Sequence, residues 1–271
     1  MASAFKSLLF VPGDRPDRFD KAAASGADAI IIDLEDAVLP DAKSQARTAA
    51  LDWMQKSAAR ARAGVRINSP RTAHGCADIA ALSELARAPA FVMVPKAETG
   101  VDAEIVAEAL GGASLIGVVE SPRGLSNAFE IATRCSGGLL FGGADYAASL
   151  GADLSDWDAM LLARNTLAVA AAGAGVSAYD VPYLAVDDQN GLRAWTARAK
   201  ALGFSGRSCI HPTQVAVVNE VFTPTASEIQ NARDVIDAFH RADGGAVLHK
   251  GRLLDRPVIT AAERTLAKAP T

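Results

Sequence analysis

Nowhere does this 271-residue chain run apolar for the ~20 consecutive residues that a membrane-spanning helix needs, so a membrane role has no support. Cysteine is scarce. Cys76, Cys135 and Cys209 are an odd number, far apart, with no Cys-x-x-Cys, which argues against a disulfide framework or zinc knuckle and leaves structural thiols. Positive charge does not predominate either: a formal net charge of −4 speaks against a nucleic-acid backbone as the main partner, although a small anion needs only a few basic residues. Also missing are a Gly-x-Gly-x-x-Gly after the first apolar run, a Gly-x-x-x-x-Gly-Lys phosphate loop, a nucleophile elbow and a Ser-His-Asp arrangement. No lysine sits in an aromatic surround that would suit Schiff-base chemistry. The early segment SLLFVPG has neither a basic leader nor a small-residue cleavage site, reads as a strand, and sets the expectation of a cytoplasmic protein.

What is present is a globular composition, half hydrophobic and one-fifth charged, arranged as a repeated alternation of short apolar runs and helical segments. The runs are Ser7 to Gly13, Ala29 to Glu35, Gly64 to Asn68, Phe91 to Lys96, Leu115 to Glu120, GLLFGGAD ending at Asp145, Ala178 to Tyr183, and Gly206 to Pro212. Between them, helices are expected at Asp14 to Gly26, Asp41 to Arg62, Ala77 to Arg87, Val101 to Leu110, Trp157 to Ala172 and Asp188 to Leu202. Eight such units predict a (β/α)8 TIM barrel, which closes the sheet and leaves no edge; an open doubly wound sheet is the alternative. Residues 1–222 are expected to form the barrel. Residues 223–271, with a helix from Ser227 to Ala242 and an amphipathic final helix, form a C-terminal helical extension, lid or arm.

Strands of such a barrel present functional side chains at their C-terminal ends. Those ends carry Asp33, Glu35 and Asp36, then Arg66 and Asn68, then Lys96, Glu120, Asp145 and His211. Burying so many charges costs several kcal/mol per ion unless they are paired or bound to metal. Glu120 and Asp145 close two successive strands, so right-handed crossovers would bring them to one edge, where two hard carboxylates suit Mg²⁺. Each acid alone equally suits a helix cap. Asp33 and Lys96 suit ion pairing within the barrel mouth, and His211 a supporting hydrogen bond.

The segments IIIDLEDAV, VRIN, VPKAE, VVESPRGLSNA, LLFGGADYAASLG, LGFSGRSCIHPTQ and GRLLDRP, in this order over nearly the whole chain, resemble the citrate lyase beta subunit family, which includes malyl-CoA and citramalyl-CoA lyases. The resemblance implies a Mg²⁺-dependent barrel that breaks or forms a carbon–carbon bond beside an acyl-CoA thioester, releasing an oxo acid. It implies Glu120 and Asp145 as metal ligands, with Glu120 also facing substrate, and Arg66 as a substrate contact. Glu35 and Asp36 would support the metal's water shell. Asp255 would match an acid donated from a C-terminal segment to a neighbouring subunit's site, which implies a closed homo-oligomer, a trimer. Lys6 stands where an Arg is frequent in the family, and Gly143 and Ala144 precede Asp145 where bulkier or acidic residues are common. Other outcomes consistent with these residues are a beta subunit acting on a citryl thioester, an acyl-CoA thioesterase, a metal-dependent aldolase using free oxo acids, and a non-catalytic subunit that needs partners.

Overall fold

A computed structural model describes residues 4–241, 247–249 and 251–269 of the chain. Eight parallel strands close into a barrel: β1 (Ser7–Pro12), β2 (Ala29–Asp33), β3 (Ala63–Arg66), β4 (Phe91–Val94), β5 (Leu115–Val119), β6 (Gly138–Phe141), β7 (Ala178–Asp180) and β8 (Gly206–Cys209). Closure comes from pairing of β1 with β8, with Leu8 opposite Ser208. The fold is therefore a (β/α)8 barrel. Every residue of β2, β4, β5 and β6 is buried, because their outer faces are covered by helices and their inner faces by each other. Alternate residues such as Ile31, Phe91, Met93, Ile116, Val118, Leu140 and Tyr179 fill the interior in layers.

The outer elements are α1 (Phe19–Ala23), α2 (Lys43–Lys56), α3 (Ala73–Ser83), α4 (Gly100–Ala109), α5 (Pro122–Ser126), α6 (Ala128–Arg134), α7 (Gly143–Leu150), α8 (Leu161–Ala174), α9 (Gln189–Ala201) and α10 (Pro212–Phe222). Helix starts follow local chemistry. Thr72 accepts from Gly75 N–H, Ser121 from Gly124 N–H and Asp188 from Gly191 N–H, satisfying first-turn donors of α3, α5 and α9.

Several expected bounds shift, three of them for a clear local reason. The helix expected over Asp41 to Arg62 ends at Lys56, where Ser57 is extended and caps a separate 3-10 segment, Ala58–Arg62. The seventh strand stops at Asp180 and not Tyr183, since Pro182 has no N–H to offer a ladder. The helix expected from Trp157 begins at Leu161 and runs to Ala174, where Gly175 takes the left-handed conformation (φ 73°) that ends it.

The chain divides into two compact units, Met1–Asn219 and Glu220–Thr271. Within the second, α11 (Ala226–Arg241) and α12 (Arg256–Ala267) pack through Ala232, Val235, Phe239, Leu254, Ile259 and Ala262. A two-stranded antiparallel ribbon, β9 (Val247–His249) with β10 (Arg252–Leu254), joins them. Among the described residues, no helix is long and apolar enough to cross a membrane.

Candidate active site

The C-terminal ends of the strands surround a cavity of about 320 Å³. Asp33, Asp36, Arg66, Glu120 and Asp145 all line it. Arg66 leaves the end of β3 and donates from Nε and Nη2 to the two oxygens of Asp33, at 2.7 and 2.6 Å. Its third nitrogen lies 3.2 Å from Glu35 Oε2. The Phe10 ring lies 5.0 Å from the guanidinium carbon. Burial disfavours the charge on Arg66, but the hydrogen bonds and charge of Asp33, with Glu35 behind them, outweigh it and raise its pKa.

Lys96 follows β4 and is the one non-glycine residue with positive φ (51°) among the described residues. That conformation costs a non-glycine residue ~1–2 kcal/mol. The turn directs two donors at acids. Its backbone N–H donates to Glu120 Oε1 at 2.6 Å, and its ammonium donates to Glu35 Oε1 at 2.5 Å. The same ammonium lies 3.5 Å from Asp36 and 3.8 Å from Asp145. Burial lowers the Lys96 pKa, but Glu35 more than reverses this and the net shift is upward.

Glu120 stands one residue beyond β5 and is almost fully buried (6% exposed). Burial, then the neighbouring charge of Glu35, pushes its pKa up to about 8, against the pull of Lys96. Glu35 is likewise raised, first by burial, with Arg66 and Lys96 offsetting part of it. Glu35 Oε2 is buried without a hydrogen-bond partner. Glu120 can sit here because residue 142 is glycine: a Cβ there would fall 2.3 Å from Glu120 Cβ. Ser121, and not Glu120, caps the helix that follows.

Asp145 differs from its expected placement. It lies in the first turn of α7 and not at the end of a strand, since β6 ends at Phe141 and Gly142–Gly143 turn the chain into the helix. It still reaches the cavity, half exposed. His211 is exposed, with Nδ1 2.8 Å from Thr213 Oγ1, and Asn68 bonds Leu34 O and Asp78. Asp255 belongs to the second unit, where it is partly buried and accepts from Val258 N–H at the start of α12.

Among the described residues no three His, Cys, Asp or Glu side chains assemble a ready-made metal cage. Mg²⁺ does not need one. It uses one or two carboxylates and completes its octahedron with water and substrate. Glu120 and Asp145, opening on one cavity, are such a donor pair, and a buried acid crowded by like charge is one that a cation would relieve.

Two supports were not foreseen. Lys43 of α2 is buried and donates to the carbonyls of Leu34 and Glu35 at 3.0 and 2.8 Å, anchoring the loop that carries Glu35 and Asp36. Asp180 of β7 is held between Arg164 and Arg207, all three wholly buried, and Arg207 also donates to the Val181 carbonyl at 2.7 Å in the cavity wall. The visible signal for the second was a charge inside each of the short apolar runs AYDVPY and GRSCIHP.

A sequence profile described as HpcH/HpaI aldolase/citrate lyase matches residues 6–212. The chain is 36% identical over 275 residues to the (3S)-malyl-CoA thioesterase of Cereibacter sphaeroides, covering 99% of this chain and 95% of that protein. The crystal structure of protein CitE from Mycobacterium tuberculosis in complex with magnesium, acetoacetate and coenzyme A superposes with a TM-score of 0.86 at 36% identity, covering 99% of both chains. A citrate lyase beta subunit from the same organism, complexed with oxaloacetate and magnesium, matches 82% of this chain and 98% of its own at 36% identity, with a TM-score of 0.73.

Proposed function

Because the chain belongs to the HpcH/HpaI aldolase/citrate lyase family, we propose that it is a Mg²⁺-dependent carbon–carbon lyase acting on a β-hydroxyacyl-CoA thioester such as malyl-CoA or citramalyl-CoA, with an oxo acid and acetyl-CoA as products. The observation that carries this is the convergence of buried Glu120 and half-exposed Asp145 on a cavity whose basic member is Arg66. Glu120 and Asp145 would hold Mg²⁺. When bound, it supplies a Lewis acid and template for the carboxylate and oxygen of the oxo acid.

The remaining work belongs to side chains. Cleavage transfers the proton of the β-hydroxyl group to a carboxylate of the site acting as base, from which it passes to solvent, breaks the bond between the hydroxyl-bearing carbon and the thioester α-carbon, and leaves the electron pair on the thioester as an enolate. Arg66, its fork fixed by Asp33, places positive charge where negative charge develops. Glu35 and Asp36, tied to Lys96, would orient water around the cation. Asp255 would deliver the proton that turns the enolate into acetyl-CoA.

The name of the Cereibacter relative favours a second outcome at the same site: if water reaches the acyl carbon, the thioester is hydrolysed. A panel of acyl-CoA thioesters incubated with and without Mg²⁺, with products identified by mass, separates the two. Oxo acid with acetyl-CoA identifies the lyase, and free hydroxy acid with CoA the thioesterase. In parallel, Glu120→Gln and Asp145→Asn should each weaken Mg²⁺ binding by about tenfold or more in calorimetry, with the circular dichroism of the fold retained. Unchanged affinity in both variants would remove the metal assignment.

A further inference from the structure

The placement of Lys43 runs against three physical preferences. It opens α2, the helix end whose macrodipole disfavours a cation. It is buried, 9% exposed, where an ammonium is costly unless an anion pairs with it. Both of its hydrogen-bond partners are nevertheless neutral, the carbonyls of Leu34 and Glu35 at 3.0 and 2.8 Å. Nor do those carbonyls depend on it to be satisfied. The Leu34 oxygen also accepts from Asn68 Nδ2 at 2.9 Å, and the Glu35 oxygen from Val38 N–H at 3.0 Å. Completing the hydrogen bonds of the loop therefore does not account for a buried charge at this position.

What the two contacts share is Glu35. The Leu34 carbonyl belongs to the peptide plane before the Glu35 Cα and the Glu35 carbonyl to the plane after it, so one ammonium clamps both planes and with them the φ and ψ that aim the side chain. The first plane is held at its other end as well, because Glu35 N–H donates to Asp33 Oδ1 at 2.9 Å, and Asp33 takes the fork of Arg66. The carboxylate aimed in this way meets Lys96 Nζ at 2.5 Å and Arg66 at 3.2 Å.

We infer that Lys43 is a positioning residue for the reaction: from beneath the acid loop it fixes the backbone of Glu35, so that the carboxylate keeps the orientation in which it supports the water shell of the cation. Lys43 does not line the cavity and acts through Glu35 alone, by contacts made within one chain. The inference rests on the part given to Glu35 in the lyase reading.

The test is a double-mutant cycle of Lys43→Met with Glu35→Gln in the full chain, read first as the Mg²⁺ dissociation constant by calorimetry and then as turnover of the thioester that the acyl-CoA panel identifies. Methionine keeps an unbranched apolar stem and removes the charge. With Glu35 present, Lys43→Met should weaken Mg²⁺ binding and lower kcat, each by about tenfold or more, with a smaller change in KM. With Gln at position 35, the same change should move either quantity by less than about twofold. A bystander cation predicts the opposite sign for the metal, because removing positive charge near it tightens binding. Tighter or unchanged Mg²⁺ affinity in Lys43→Met, or an equal loss in both backgrounds, would overturn the inference. If circular dichroism shows that Lys43→Met does not fold, Lys43→Gln, which keeps a donor without the charge, takes its place in the cycle and is judged by the same coupling. Coupling in the Mg²⁺ constant without carbon–carbon cleavage of any thioester would sustain the inference and remove the lyase reading. Cleavage by the wild type with uncoupled variants would do the reverse.

Discussion

At Arg66 one guanidinium holds Asp33 through two hydrogen bonds and faces Glu35 with its third nitrogen, while lining the cavity. A lysine has the charge but not the planar fork. Arg66→Lys should therefore lower turnover on the order of 100-fold, the scale seen when an oxyanion donor is removed, with a smaller change in the KM for the thioester. Wild-type turnover would reduce Arg66 to a structural ion pair. The thiols offer a separate residue-level check. Burial pushes Cys135 and Cys209 up to about 12, so both remain protonated and shielded at pH 8, whereas Cys76 is exposed. Titration with a coloured disulfide reagent should consume one thiol per native chain and three in denaturant. Rapid reaction of two or more in the native protein would contradict the packing of β8 and the segment after α6.

Among the elements, β7 and β8 are tied to α8 by a buried cluster of unequal charge, two arginines to one aspartate. Arg164 Nη1 and Nη2 and Arg207 Nε have no hydrogen-bond partner, and the Arg164 guanidinium instead rests 4.4 Å from the Trp157 ring and 5.4 Å from that of Trp195. The imbalance sets an order of effects. Asp180→Asn leaves two buried cations with no anion and should cost ~3–5 kcal/mol of stability. Arg164→Met leaves a matched pair and keeps apolar volume against the aromatic rings, so it should cost less. Urea denaturation of both variants, compared at unchanged slope, decides it, and a larger loss from Arg164→Met would show that charge balance is not what governs this cluster. A charge inside each of two short apolar runs was visible, but the partners were not, because residues 164, 180 and 207 meet only after the barrel closes. The strands themselves were readable, since parallel strands buried on both faces read as mostly apolar runs, and the charged residues at their ends mark the mouth of the barrel. Asp145 was placed on the right edge but on the wrong element: Gly142 and Gly143 suit a strand end and a helix start alike, and no Ser, Thr, Asp or Asn at the N-cap identified the start of α7. The left-handed turn at Lys96 was also hidden, because nothing in the identity of a lysine specifies positive φ.

At the scale of the whole molecule the residue that matters is Asp255. It follows β10, and its side chain accepts from Val258 N–H at 3.4 Å, capping α12. Capping alone explains an aspartate here, so a useful substitution must preserve the cap while removing the acid. Asparagine does this, since Asn and Asp are nearly equivalent N-caps, whereas alanine would cost ~1 kcal/mol. We propose that Asp255 completes the site of a neighbouring copy in a closed homotrimer, an arrangement in which a head-to-tail contact repeats around one axis. Asp255→Asn should then retain Mg²⁺ affinity and thermal stability but lose turnover, while Asp255→Ala loses both turnover and some stability. Equal turnover in Asp255→Asn and wild type would leave the residue a cap and nothing more. The trimer is tested by mixing Asp255→Asn chains with Glu120→Gln chains, each inactive by itself. After subunit exchange, some interfaces join an intact metal pair from one copy to an intact Asp255 from the next, and those sites should regain activity. Full exchange verified by mass with no recovered turnover would show that each chain supplies its own Asp255, and a monomer at assay concentration would exclude the shared site without any mixing.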